Sequence, residues 1–224
     1  MQAAAVRTTL WRNVARPIDE VAPPAGASVM VAAVIGAVSG LAGWALAHVA
    51  PVSIAVVVTA ALWCALALAL PERSLASQFA RPASSPANVG QLVLTFAVLL
   101  RVAAVSTVSV GLWVAALAVA SAIGRLQAVF LQFVADPVDD DGSTTEDYLT
   151  QAIGPAELAI LTATICGAGA FAFGWRIVLA VALSLGLTFI IGLRQQRRSD
   201  HIGVEVLGVV VWLGELLTLF AIIR

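Results

Sequence analysis

Lysine is missing altogether. All twelve basic residues are arginine, and with thirteen acids they leave a chain of 224 residues only 11% charged, at a net charge of −1. Soluble domains carry about 25% charged residues, whereas here 61% of the residues are apolar and the mean hydropathy is +0.99. So little polar surface cannot cover a water-soluble globule, and a chain this apolar is not a disordered one. A net charge close to zero also gives no electrostatic footprint for nucleic acid. Cysteine is nearly absent: Cys64 and Cys166 each lie inside an apolar run far from the other. They read as small buried hydrophobes, not as a disulfide framework or a metal site.

What the chain has in quantity is apolar runs of membrane-spanning length. A span needs roughly 20 apolar residues to cross a hydrocarbon core of about 30 Å. Seven runs qualify, near residues 27–49, 52–70, 91–110, 112–131, 156–173, 177–193 and 202–223. Pro51, Pro71 and Pro155 stand at junctions, where a missing N–H and a fixed φ do least harm to a helix. The break at Ser109, Val110 and Gly111 is barely polar, so two tightly joined helices are expected there. The predicted fold is all-α, a polytopic integral membrane bundle of about seven transmembrane helices. Residues 1–26 form an arm and 27–224 a single transmembrane domain, with loops near 71–90 and 132–155.

Arginines orient this bundle, because cytoplasmic flanks accumulate Lys and Arg. With the amino terminus inside, Arg7, Arg12, Arg16, Arg73, Arg81, Arg194, Arg197 and Arg198 all face the cytoplasm, and only Arg176 and Arg224 fall outside. Both long loops are then cytoplasmic, and the membrane is the inner one. The first apolar stretch exceeds the about 7–15 residues of a cleavable signal, so it is read as an anchor.

Charged residues inside spans demand an explanation, since an ionised group at the bilayer centre costs about 2.5–3.5 kcal/mol on insertion scales and is usually paired or functional. Four qualify: Arg101, Arg125, Glu205 and Glu215. Depth counted at about 1.5 Å per residue allows two pairs, Arg101 with Glu215 near mid-membrane and Arg125 with Glu205 toward the cytoplasm. Each pair fixes helix register or serves a site, and an arginine can also snorkel to the headgroups. Asp139, Asp140 and Asp141 crowd carboxylates onto a turn-forming stretch. Such oxygen donors suit a hard cation like magnesium, although a solvated acidic loop has the same composition. Gly36 and Gly40 form a GxxxG in the first span, which lets helix backbones approach closely. His48 and His201 have no partner that the sequence identifies.

The last span carries the most specific pattern. Glu205, Leu207, Gly208 and Glu215 resemble the closing signature of the cobalamin synthase family, integral-membrane adenosylcobinamide-GDP ribazoletransferases that end in Gly-Asp-x-Leu-Gly-Ala and a helix with two glutamates. Glu205 stands at the aspartate, Glu215 at the second glutamate, and Trp212 replaces the first. Ser121 through Arg125 is similar to the family's Ser-Arg motif, and Arg101 occupies a position where members can carry a basic residue. The resemblance implies transfer of a corrinoid from its GDP-linked form to a ribazole acceptor, with magnesium. It implies Arg125 and Glu205 as catalytic residues, Arg101, Arg125 and Glu215 at the corrinoid–nucleotide substrate, and Asp139, Asp140, Asp141 and Glu205 as metal ligands. One departure is plain. Where the family has Asp-Gly-Leu-Ala-Asp after the second span, this chain has a single carboxylate, Glu72. The alternative is therefore a catalytically inactive membrane subunit or scaffold that binds a protein partner or a second copy through its Gly36/Gly40 face. A transporter was the weakest reading, because neither a discontinuous helix nor an inverted repeat is visible in the sequence.

Overall fold

Proline opens four of the eight described α-helices. In the computed structural model, which describes residues 23–67, 70–80, 88–135, 137–138, 150–199 and 202–223, α1 (Ala25–Leu46) follows Pro24 and α2 (Val52–Leu66) follows Pro51. Helix α3 (Leu70–Ala80) has Pro71 in its first turn, and α6 (Pro155–Phe173) starts on Pro155. At these positions the lost N–H would have had no intrahelical acceptor. Helix α4 (Val89–Thr107) joins α5 (Trp113–Val134) through one 3₁₀ turn, Val110–Leu112. The junction is as tight as expected, and Trp113 Nε1 donates to Val108 O at 2.9 Å to hold it. Between α6 and α7 (Arg176–Ser199) the chain reverses at Gly174, whose φ of 83° favours a residue without Cβ. Helix α8 (Val204–Ile222) closes the order.

Among the described residues six helical segments are long and apolar enough to cross a membrane, or seven if the bent pair α2–α3 counts as one span. The polytopic all-helical bundle is thus the observed fold. Helices α5 and α8 form its centre, each 67% buried over its most apolar window, whereas α6 is only 17% buried and lies at the rim. Lipid tails are as apolar as leucine, so packing of small residues rather than water exclusion brings such helices together. Gly124 of α5 illustrates it: a Cβ there would lie 2.8 Å from Val211 O of α8.

The same chemistry docks α1. A Cβ on Gly36 would fall on Leu117 O, one on Gly40 would lie 2.6 Å from Trp113 O, and one on Gly43 would collide with Thr59 Oγ1 of α2. The Gly36/Gly40 face is therefore filled by α5 of the same chain. It is not open to a partner or a second copy, which corrects the expectation that an interface would form there.

A second correction concerns the stretch after α2. Part of the loop expected near 71–90 is the helix α3, which meets α2 at a 77° bend and packs against α4 and α8. A discontinuous helix is thus present after all. Glu72 of this segment is fully buried and pairs with a buried arginine, which ties α3 into the bundle. Pro137–Val138 (β1) pairs in parallel with Ile202–Gly203 (β2), a short backbone clasp beside the start of α8.

A buried ionic cluster and a clasped helix end

Arg101 sits in the middle of α4 with no solvent exposure, and three elements converge on it. Its Nε lies 2.9 Å from Glu72 Oε1 of α3, and its Nη2 donates to Glu215 Oε2 of α8. Its guanidinium carbon stands 4.1 Å over the Trp63 ring of α2, a cation–π contact strengthened by desolvation. Cys64 Sγ donates to Glu72 Oε1 at 3.6 Å, and Trp63 Nε1 donates to Ser121 Oγ of α5 at 2.9 Å. Glu72 Oε2 has no hydrogen-bond partner among the described residues. Gly124 makes the room, since a Cβ there would press within 2.6 Å of Glu215 Cγ.

The pairing of Arg101 with Glu215, expected from depth, is formed. Glu72 as a second counter-charge was missed, because a carboxylate next to Pro71 looked like loop. The signal was present: Arg101 lies deep in an apolar helix, and Glu72 is the one carboxylate of the segment that follows α2. The roles expected of Arg101 and Glu215 at substrate meet a plain obstacle. Both are sealed, at 0% and 4% exposure, and the guanidinium already serves two carboxylates. In this arrangement the cluster fastens α3 and α4 to α8 and presents no open surface to a ligand.

The end of the bundle where α8 starts is built differently. Glu205 is half-buried in the first turn of α8, where the helix dipole favours negative charge. Arg125 is half-buried on α5 and donates from Nε to Ser28 Oγ of α1 at 3.0 Å. Helices α5 and α8 run antiparallel, with Gly124 against Val211 to Glu215 and Leu131 clustered with Val206 and Leu207. At that register Glu205 is offset from Arg125 by roughly seven residues, about 10 Å along the axis, so depth alone no longer argues for pairing the two.

Asp139, Asp140 and Asp141 lie outside the described residues, but the chain on both sides of them is placed. Val138, immediately before them, pairs with Gly203, two residues ahead of Glu205. Beyond them, Gln132 Oε1 accepts from Thr150 N at 2.9 Å and from Thr150 Oγ1 at 3.2 Å, while Gln151 N donates to Pro23 O at 3.1 Å. The acidic stretch therefore leaves and rejoins the bundle at the end where Glu205 stands. Among the described residues no three His, Cys, Asp or Glu side chains gather as a metal site. Glu205, a described carboxylate at this end, offers hard oxygens of the kind magnesium takes. At Glu72, by contrast, Oε1 faces an arginine and only Oε2 is left without a partner among the described residues.

The family model for cobalamin-5-phosphate synthase matches residues 88–223, more than half of the chain. The match begins after α3, beyond the segment in which Glu72 stands alone. No curated protein and no solved structure matches.

Proposed function

Because the chain belongs to the cobalamin-5-phosphate synthase family, membrane transferases of cobalamin biosynthesis, we propose that it joins adenosylcobinamide-GDP to a ribazole acceptor at the cytoplasmic face of the inner membrane. The acceptor hydroxyl oxygen forms a bond to the corrinoid-linked phosphorus. The phosphoanhydride bond breaks, GMP leaves with the bridging oxygen, and the hydroxyl proton passes to solvent. Glu205 with Asp139, Asp140 and Asp141 would hold magnesium, which when bound supplies positive charge to phosphoryl oxygens. Arg125, half-buried at the Ser28 contact, would face phosphate oxygens, which the planar guanidinium suits.

The observation that carries this reading is the β1–β2 clasp, which brings the chain into its acidic stretch beside the first turn of α8. The test is reconstitution in liposomes with adenosylcobinamide-GDP, a ribazole acceptor and magnesium, with cobalamin and GMP followed by chromatography. Product in equal amounts, dependent on magnesium and lowered at least tenfold by Glu205→Gln, is the expected outcome. No product above a protein-free control would overturn it.

A second reading rests on Glu72. The segment where relatives carry several acids here contributes one carboxylate, already neutralised by Arg101. That favours an inactive member serving as a membrane subunit or scaffold. It expects silence in the same assay together with a stoichiometric complex in mild detergent. Since Gly36 and Gly40 are covered, such a partner would use another face.

A further inference from the structure

At the end of the bundle opposite Glu205, three connections meet around a cleft of about 390 Å³. The 3₁₀ turn contributes Leu112, the α6–α7 reversal contributes Ala172 to Arg176, and the end of α8 contributes Ala221 and Ile222. The lining is apolar except at its edge, where Arg176 is exposed and donates from Nη1 to Ile223 O at 3.2 Å. That bond uses one of the five donors of a guanidinium. No carboxylate among the described residues pairs with Arg176, and the other described turns at this end carry no formal charge. Trp175, next to Arg176 in the lining, is 68% exposed.

An arginine with no carboxylate partner among the described residues, a tryptophan at the water boundary and an apolar recess beneath them are complementary to one kind of molecule. Tryptophan favours the headgroup level of a bilayer, arginine takes phosphate oxygens in a planar fork, and basic pockets between transmembrane helices hold anionic headgroups. We propose that this cleft is a binding site for an anionic phospholipid, with the lipid phosphate on Arg176, the glycerol region beside Trp175, and the upper acyl chain between Leu112, Phe173 and Ile222. The reversal at Gly174 builds it: the positive φ turns the chain sharply enough to set Trp175 and Arg176 next to the end of α8. A neutral lipid lacks the charge that would select for Arg176, and a protein partner would need acids that the rim does not itself specify.

The experiment uses the full chain in phosphatidylcholine vesicles doped with photoactivatable phosphatidylglycerol or, separately, photoactivatable phosphatidylcholine. Adducts are mapped by mass spectrometry. Phosphatidylglycerol should label the segments around residues 172–176 and 221–222 well above phosphatidylcholine. Arg176→Gln should lower that labelling roughly tenfold, as loss of a charge-assisted contact implies, and Arg176→Lys should lower it less. Ala221→Phe, which fills the recess and leaves the charge in place, should also lower it. Equal labelling by the two lipids, or labelling unchanged in both Arg176→Gln and Ala221→Phe, would overturn the proposal.

Discussion

Replacing Arg101 by Met tests the account of the buried cluster most severely. The substitution keeps an unbranched apolar stem in α4 and leaves Glu72 and Glu215 buried against one another with no cation. Removing one partner of a buried ion pair costs about 3–5 kcal/mol. Here one guanidinium serves two carboxylates and also covers the Trp63 ring, so the upper part of that range is expected. A single charge near the bilayer centre costs a similar amount, about 2.5–3.5 kcal/mol on insertion scales. For a chain of this size each kcal/mol moves the midpoint by about 2–4 °C, which gives a drop of about 8–20 °C. Glu215→Gln leaves Arg101 with Glu72 and should lose only about 1.5–3 kcal/mol, the contribution of a charged hydrogen bond. Heating in mild detergent, with the folded fraction read by size-exclusion chromatography, separates the two variants. Should Arg101→Met melt within about 2 °C of the parent, or no lower than Glu215→Gln, the pairing does not hold α3 in place.

The remaining predictions concern packing and the end where α8 starts. Gly36→Leu should destabilise by about 1–3 kcal/mol or more through overpacking against the α5 backbone, while Gly186→Ala, with open space around it, should be neutral or gain up to about 1 kcal/mol of helix propensity; paired thermal melts measure both. Gln127→Met breaks the buried bonds to Ser184 Oγ at 2.8 Å and Thr188 Oγ1 at 3.0 Å and should cost about 1–3 kcal/mol, two interhelical hydrogen bonds at about 0.6 kcal/mol on average and at most about 1.7 each. Gln132→Ala removes the acceptor of Thr150; limited proteolysis within residues 139–149 should speed up several-fold, with the melting midpoint little changed.

The sequence made the membrane bundle legible because length and apolarity alone decide whether a helix can span. It also revealed Arg101 and Glu215 as partners, since both are too costly in lipid to stand alone and their depths agree. Glu72 escaped for the opposite reason. Its neighbours Pro71, Arg73 and Ser74 have loop composition, and only tertiary contact with a cation explains a carboxylate at zero exposure. The GxxxG was read correctly as a close-packing face, yet period and residue size do not say whether the opposing backbone belongs to the same chain. The offset between Arg125 and Glu205 was equally hidden, because it depends on the antiparallel register that Gly124 and Gly214 set.

That glycine contact has a mechanical consequence. With a Gly214 Cβ position only 3.1 Å from Gly124 Cα, α5 and α8 touch along their peptide planes, and neither can roll or slide without steric collision. They form a keel. Whatever movement admits a bulky solute is then borne by the lighter timbers around it, above all at the angled joint where α2 gives way to α3 and one arginine is the latch.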